Sequence, residues 1–87
     1  MSEYSVKFTR KAKKTLDNLP NDVRNRILAR INELIINPIC EKRLKGRLER
    51  LCRMRIGDYR VVYLIDHENQ AVVIIDIGKR ENIYDRL

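Results

Sequence analysis

Three arginines and a tight turn form the part of this 87-residue chain whose residue types point most directly to chemistry. Residues 52–63 alternate apolar and polar side chains on either side of Gly57–Asp58. This pattern is typical of a β-hairpin with a two-residue turn, because glycine accepts a positive φ at no steric cost. The turn pairs Arg55 with Arg60 across the two strands and predicts that Arg53 lies on the same face of the sheet.

Residues on facing strand positions have Cβ atoms roughly 5 Å apart. Guanidinium groups there do not stabilise the fold, because their like charges repel. An anion held between them would explain the arrangement. The planar donor fork of arginine matches phosphate oxygens, so a phosphate group is the expected anion. The other face of the hairpin is predicted to be a core face, made of Cys52, Met54, Ile56, Tyr59, Val61 and Tyr63.

Composition supports an anionic partner and a small globular fold. The chain has 19 Lys and Arg against 12 Asp and Glu, a net charge of +7, and 44% hydrophobic residues. Such a charge favours nucleic acid, an acidic protein or a membrane surface as partner, and a solvated basic surface is the alternative. The length predicts one domain over residues 1–87. No apolar run approaches the ~20 residues that a membrane span needs.

The cysteines and the histidine do not suggest a metal or catalytic centre. Cys40 and Cys52 lack metal-ligand spacing, and His67 is the only histidine. With no signal peptide visible, we expect free thiols and a cytoplasmic location. We expect Cys52 to be a buried hydrophobe and Cys40 to lie in a loop. His67 is predicted to be a solvated turn residue at the end of the sheet away from the arginines, which removes the usual general base from their surroundings.

The residues before the hairpin predict a strand and two helices. Residues 4–8 alternate, and apolar residues at helical spacing predict a short helix over 10–18 with Thr9 as its N-cap. Pro20 favours the start of a second helix, because its missing N–H would be unpaired there anyway. Asn37–Pro38 ends that helix, since the residue before proline avoids the α region.

The second helix has a wide apolar stripe, and three arginines are predicted to point away from it. The three are Arg24, Arg26 and Arg30. The stripe consists of Val23, Ile27, Leu28, Ile31, Leu34 and Ile35. An apolar stripe must be covered, and the sheet that follows is the available apolar surface.

The remaining residues predict the second strand of the hairpin and one further strand after it. Residues 40–50 are predicted to form a strongly basic loop, with the start of a short strand as the alternative, residues 59–66 a central strand, and residues 71–77 a strand buried on both sides. The element order is therefore β-α-α-β-β-β. We predict an α+β domain in which a helical hairpin packs on one face of a mostly antiparallel four-stranded sheet, with the first strand parallel to one of the others.

Strand direction brings the end of the chain toward the arginines. The last strand ends beside the Gly57–Asp58 turn, so Arg80 is expected to approach Arg55 and Arg60. Tyr84 follows and could exchange a proton or stack on a base. Docking of Tyr84 on the sheet is the alternative interpretation.

These residues resemble a known family, the RelE/ParE toxin superfamily, and within it the RelE branch. The segments that carry the resemblance are Leu44–Gly46, Arg53–Tyr63 and Ile77–Glu81, followed by Tyr84. The run from Gly57 to Tyr63 joined to Gly78–Glu81 at this separation is specific, and the likeness covers the whole chain.

The resemblance implies the toxin of a toxin–antitoxin pair that cleaves mRNA in the ribosomal A site. The ribose 2′-OH attacks the adjacent phosphate without a metal or other cofactor and leaves a 2′,3′-cyclic phosphate and a 5′-OH. A RelB-like antitoxin is the implied protein partner. The alternatives are a ParE-like toxin that inhibits gyrase, and a basic RNA-binding relative with weak activity or none.

Carried over by position, the resemblance implies which residues act. The implied catalytic residues are Arg53, Arg55, Arg60, Arg80 and Tyr84, and the implied RNA-binding residues are Lys45, Arg47 and Lys79. Arg53 and Arg55 occupy positions that are commonly lysine in the best-known members. Arginine does not release its proton, so here these side chains would stabilise charge rather than transfer a proton.

Overall fold

The computed structural model describes residues 3–46 and 50–79 and confirms the α+β class. The elements follow one another as β1 (Ser5–Phe8), α1 (Arg10–Asp17), α2 (Asn21–Ile36), β2 (Lys42–Arg43), β3 (Cys52–Ile56), β4 (Tyr59–Asp66) and β5 (Ala71–Lys79). Within these residues, neither helix is long and apolar enough to cross a membrane.

The sheet has five strands in the order β1-β5-β4-β3-β2. β1 pairs in parallel with β5, as predicted, and the other neighbours are antiparallel. The prediction of four strands is wrong, because β2 adds a short edge strand in which Lys42 pairs with Arg53 and Arg43 with Cys52. Two basic residues are too few to produce an alternating apolar pattern, so the sequence left a short strand here only as an alternative to a loop.

The helix boundaries follow the local signals. The Thr9 hydroxyl accepts a hydrogen bond from the backbone N–H of Ala12 at 3.1 Å and donates to the carbonyl of Ile75 at 2.7 Å, which caps α1 and ties it to β5. α1 ends one residue earlier than predicted. α2 begins directly after Pro20 and ends directly before Asn37, in agreement with the prediction.

The core lies between the two helices and one face of the sheet. Its buried members include Ala12 and Leu16 from α1 and Ile27, Ile31 and Leu34 from α2. The predicted core face of the hairpin is confirmed, since all its residues are buried except Tyr59, which is half-buried. The helices therefore cover one face of the sheet, and Arg53, Arg55 and Arg60 lie on the other.

Cys40 and Cys52 form a disulfide with their Cα atoms 5.4 Å apart, so the prediction of free thiols is wrong. The phenol of Tyr63 explains why the two cysteines meet. Its oxygen donates to the carbonyl of Ile39 and accepts from the backbone N–H of Glu41, both at 2.8 Å. These bonds hold the loop after α2 against the sheet beside β3, a tertiary contact that cysteine spacing does not reveal.

Replacing Tyr63 with phenylalanine is expected to lower the free energy of unfolding by about 1–3 kcal/mol, because it leaves two backbone groups without their partner. Chemical denaturation at neutral pH measures this loss.

Burial raises the pKa of Tyr63 above its ordinary value of 10.0. The stability that this shift contributes is full below pH 10 and is lost as the pH rises through the folded-state pKa. The variant should therefore lose less stability above pH 10 than the parent, and equal alkaline losses would contradict this role.

Candidate nucleic-acid interface

The hairpin has the register that its turn predicts. Ile56 pairs with Tyr59 and Arg55 with Arg60, on either side of Gly57–Asp58. Gly57 has a φ of 58°, as the first position of a two-residue II′ turn requires. The two guanidinium groups therefore extend from directly opposed backbone positions on the face away from the helices.

A fourth cation joins this face through the strand that the sequence did not predict. Lys42 on β2 pairs with Arg53 on β3, so their side chains share the face that also carries Arg55 and Arg60. We call Lys42, Arg53, Arg55 and Arg60 the arginine face. Along β3, Arg53 and Arg55 are two residues apart, about 7 Å by strand geometry. Four positive charges thus occupy a surface the size of one or two nucleotides.

The arginine face remains accessible. Lys42 and Arg55 are exposed, and Arg53 and Arg60 are half-buried. One guanidinium N–H of Arg60 donates to its neighbour's carbonyl, on Tyr59, at 3.2 Å. Within residues 3–46 and 50–79, neither Arg55 nor Arg60 forms an ion pair with a carboxylate. Their remaining N–H donors are available to an anion.

The backbone of Arg55 lies on a sheet edge that side chains cover. β2 is too short to pair with it, and Glu41 instead accepts a hydrogen bond from the Arg55 N–H at 3.3 Å. Arg30 of α2 donates to the Arg55 carbonyl at 3.2 Å and forms an ion pair with Glu41. The expectation that Arg30 simply points away from the core is therefore incomplete, since it holds β3 in place beneath the arginine face. Covering an exposed edge also prevents pairing with another chain.

The end of β5 approaches the arginine face, but its lysine does not join it. Gly78 pairs with Arg60, and Lys79 pairs with Tyr59 on the face toward the helices. The Lys79 ammonium lies 5.7 Å from the centre of the Tyr59 ring, a cation–π distance. Lys79, a candidate RNA-binding residue, therefore lies on the opposite face of the sheet from Arg53, Arg55 and Arg60.

Of the other residues singled out in the sequence, the structure describes Lys45 and His67. Lys45 is exposed and follows β2, two residues after its end. Arg47, Arg80 and Tyr84 lie outside the described residues. His67 is in the exposed β4–β5 turn, at the opposite end of β4 from Gly57, where its Nδ1 is 2.8 Å from the Tyr4 hydroxyl. The predicted distance of His67 from the arginines is confirmed.

A buried carboxylate next to the arginine face was not anticipated from the sequence. Asp76 is 1% exposed and pairs with Val62, which in turn pairs with Arg53. One oxygen accepts from the Ile77 N–H at 2.8 Å, and the other lies 3.4 Å from the ammonium of Lys11. Lys11 thus compensates a charge that would be costly to bury alone. The signal in the sequence is a lone aspartate inside an otherwise apolar strand.

Comparison with known proteins agrees with this fold. A family model described as ParE toxin of type II toxin-antitoxin system, parDE, matches residues 6–84. Toxin RelG of Mycobacterium tuberculosis is 35% identical over 89 residues, covering 95% of this chain and 98% of the relative. Toxin RelE of the same organism is 37% identical over 87 residues, covering 93% and 86%.

Solved structures show the same architecture. The toxin–antitoxin complex RelBE2 from Mycobacterium tuberculosis contains a chain with a TM-score of 0.79 and 31% identity, covering 90% of this chain and 99% of that one. A mutant of E. coli toxin RelE in the free state has a TM-score of 0.81 and 26% identity, with 95% and 92% covered. The chain belongs to the toxins of type II toxin–antitoxin systems. Within the RelE/ParE superfamily, it belongs to the RelE branch.

Proposed function

We propose that this toxin is an endoribonuclease that cleaves mRNA in the ribosomal A site. The observation that carries the proposal is the pairing of Arg55 with Arg60 on the open face of the sheet, with Arg53 and Lys42 beside them. Facing cations lower the stability of a sheet unless an anion lies between them. A phosphodiester is such an anion, and membership of the RelE branch supplies the class of substrate.

The proposed reaction is an attack of the ribose 2′-oxygen on the adjacent phosphorus. A bond forms between this oxygen and phosphorus, the bond from phosphorus to the 5′-oxygen breaks, and the products are a 2′,3′-cyclic phosphate and a 5′-OH. The proton leaves the 2′-OH, and the departing 5′-oxygen gains one. Arg60 and Arg55 would stabilise the extra negative charge on the phosphate oxygens in the transition state.

The two remaining catalytic candidates complete the proposed site. Arg80 follows directly after Lys79 and would add a further cation beside Gly78, which pairs with Arg60. Tyr84 would stack on a base or help to activate the 2′-OH. Arginine keeps its proton at any physiological pH. Charge stabilisation is therefore the role that the arginine face supports, and proton transfer falls to Tyr84, to the substrate or to the ribosome.

We also propose a RelB-type antitoxin as the protein partner. Structural neighbours were solved as complexes named RelBE or RelE-RelB, from E. coli, Pyrococcus horikoshii and Mycobacterium tuberculosis. The net charge of +7 favours a partner that presents carboxylates. Such a partner would neutralise the toxin by covering its basic surface.

Inhibition of gyrase is the second candidate function. The specific observation in its favour is that the matching family model is described by the ParE toxin. A gyrase inhibitor does not require cations aligned for a phosphodiester, so it leaves the Arg55–Arg60 pair unexplained. The two functions differ in a direct assay, because gyrase inhibition stalls supercoiling without cutting RNA.

Cleavage in a reconstituted translation reaction tests the proposal. The purified protein should cut an mRNA that is being translated and leave the same mRNA intact when ribosomes are omitted. Cleavage of both would indicate a free ribonuclease. No cleavage of either, together with stalled gyrase supercoiling, would overturn the proposal in favour of the second candidate.

A further inference from the structure

A cleft of about 310 Å³ lies between α2 and the β3–β4 turn, around the sheet edge from the arginine face. It is lined by Arg26, Ala29, Arg30, Arg55, Ile56 and Gly57. Arg55 belongs to both regions, since its backbone is on the edge of β3 and its side chain is exposed. The cleft therefore continues the basic surface from the sheet toward α2.

Arg26 rests its guanidinium on the turn. A Cβ atom built on Gly57 would lie 3.4 Å from Nη2 and 3.5 Å from Nη1 of Arg26, an ordinary van der Waals distance, so the guanidinium group lies directly beside the turn. Within the described parts of the chain, Arg26 forms no ion pair or hydrogen bond, not even with Asp22 one helical turn earlier. Its donor fork therefore lies exposed beside the turn, with its hydrogen-bonding capacity unused by the described residues.

The charge in the cleft comes from Arg26 and Arg55 rather than from Arg30. Arg30 is paired with Glu41, and its Nε lies 3.9 Å from a carboxylate oxygen of Glu33. Arg26 and Arg55 have no such partners among the described residues. Two arginines without carboxylate partners among the described residues thus line one cleft, and Arg30 holds one wall to the other by its bond to the Arg55 carbonyl.

We propose that this cleft is a second phosphate subsite, in which Arg26 and Arg55 bind the backbone phosphate next to the one held on the arginine face. Arg55 is shared by the two sites, so the sites take neighbouring phosphates of one strand. The identification of that strand as RNA rests on the proposed function, whereas binding of phosphate in the cleft does not require cleavage. Contact with phosphate alone fixes position and register without reading sequence.

A phosphodiester fits the cleft better than the carboxylates of an acidic protein because the basic surface is continuous. Arg55 lines the cleft and also pairs with Arg60 in the hairpin, so the cations form one path around the sheet edge rather than a separate patch. Regularly repeated negative charge along one strand is the property of a nucleic acid backbone. Binding of an acidic protein becomes one of the outcomes that the test separates.

The test compares Arg26→Ala with Lys14→Ala, a matched loss of one positive charge from an exposed helix position. Lys14 is on α1, which packs against β5, two strands away from β3. Binding of a labelled single-stranded RNA with 2′-O-methyl groups, which cannot be cleaved by 2′-OH attack, is measured by fluorescence anisotropy over a range of salt concentrations. Thermal unfolding of each variant checks that the fold is intact.

Arg26→Ala should weaken binding about five- to tenfold at low salt, as expected for a lost hydrogen-bonded charge contact. The slope of log affinity against log salt should fall in magnitude by ~0.7, the value for one phosphate contact on a single strand. Arg26→Lys should retain the salt slope but recover only part of the affinity, because lysine keeps the charge without the fork. Lys14→Ala should leave the slope unchanged.

A second arm uses ribosomes without mRNA in place of the oligonucleotide. Weakened binding by Arg26→Ala in this arm alone would overturn a subsite for the neighbouring phosphate of the same strand and would assign the Arg26 contact to ribosomal RNA instead. Equal behaviour of Arg26→Ala and Lys14→Ala in both arms would overturn the subsite. A loss confined to complex formation with the antitoxin would also overturn it. If the parent protein cleaves no RNA but the Arg26 effect persists, the subsite stands and the proposed nuclease function fails.

Discussion

Replacing Arg60 with alanine is expected to relieve growth arrest and to lower the rate of mRNA cleavage by about 10²–10³-fold, the usual cost of removing one donor from a charged transition state. Arg60 lies on the central strand β4 directly opposite Arg55, and its side chain has no carboxylate partner in the described part of the chain. Removing it leaves the proposed phosphate with cations on one side only. Induced expression of the variant alone, followed by growth and by translation-coupled cleavage, measures the effect.

Two variants sharpen this prediction. Arg60→Lys keeps the charge but loses the planar fork, so it should recover only part of the activity. Lys14→Ala removes one charge far from the arginine face and should arrest growth as the parent does. Full growth arrest by Arg60→Ala at equal protein level would contradict the assignment of the site.

Arg80→Ala is expected to cause the same loss of growth arrest and of mRNA cleavage as Arg60→Ala.

Reduction of the Cys40–Cys52 disulfide is expected to lower the free energy of unfolding by about 3 kcal/mol. The two cysteines are 12 residues apart in sequence, and opening this loop lets the unfolded chain gain conformational entropy. For a domain of this size, the midpoint of thermal unfolding should fall by roughly 10–20 °C. Thermal unfolding of the oxidised protein with and without a phosphine reductant measures the change.

The same experiment on Cys40→Ser provides the control, because this variant cannot form the disulfide and should not respond to the reductant. The effect bears on the site as well as on stability. Cys52 precedes Arg53, and Cys40 precedes the segment that carries Lys42, so the disulfide fixes β2 beside β3. An unchanged unfolding midpoint, with both thiols shown to be free by a thiol reagent, would contradict a stabilising role.

Sequence reasoning succeeded where a local signal sets the geometry. The Gly57–Asp58 turn determines the register of the hairpin, and with it the facing of Arg55 and Arg60. Thr9 and Pro20 likewise mark helix starts through hydrogen bonds and steric effects that involve near neighbours. These features were predicted because their causes lie within a few residues of each other.

The features that were missed depend on contacts between distant segments. Arg30 and Glu41 meet at the edge of β3, and Lys42 reaches Arg53 through a strand of only two residues. The position of Arg26 over Gly57 depends on how α2 crosses the sheet, which apolar spacing does not determine. Strand alternation places Lys79 on the face opposite Arg60, a separation that its place in the sequence directly after Gly78 does not by itself reveal.

The chemistry of the cut ends tests the central claim most directly. An mRNA is translated in the presence of the purified protein, and the termini of the fragments are identified. Our account predicts a 2′,3′-cyclic phosphate on the upstream fragment and a 5′-OH on the downstream fragment, which polynucleotide kinase labels without prior phosphatase treatment. A 3′-OH with a 5′-phosphate would show that water, rather than the ribose 2′-OH, attacks the phosphorus, and would contradict the role proposed for the arginine face.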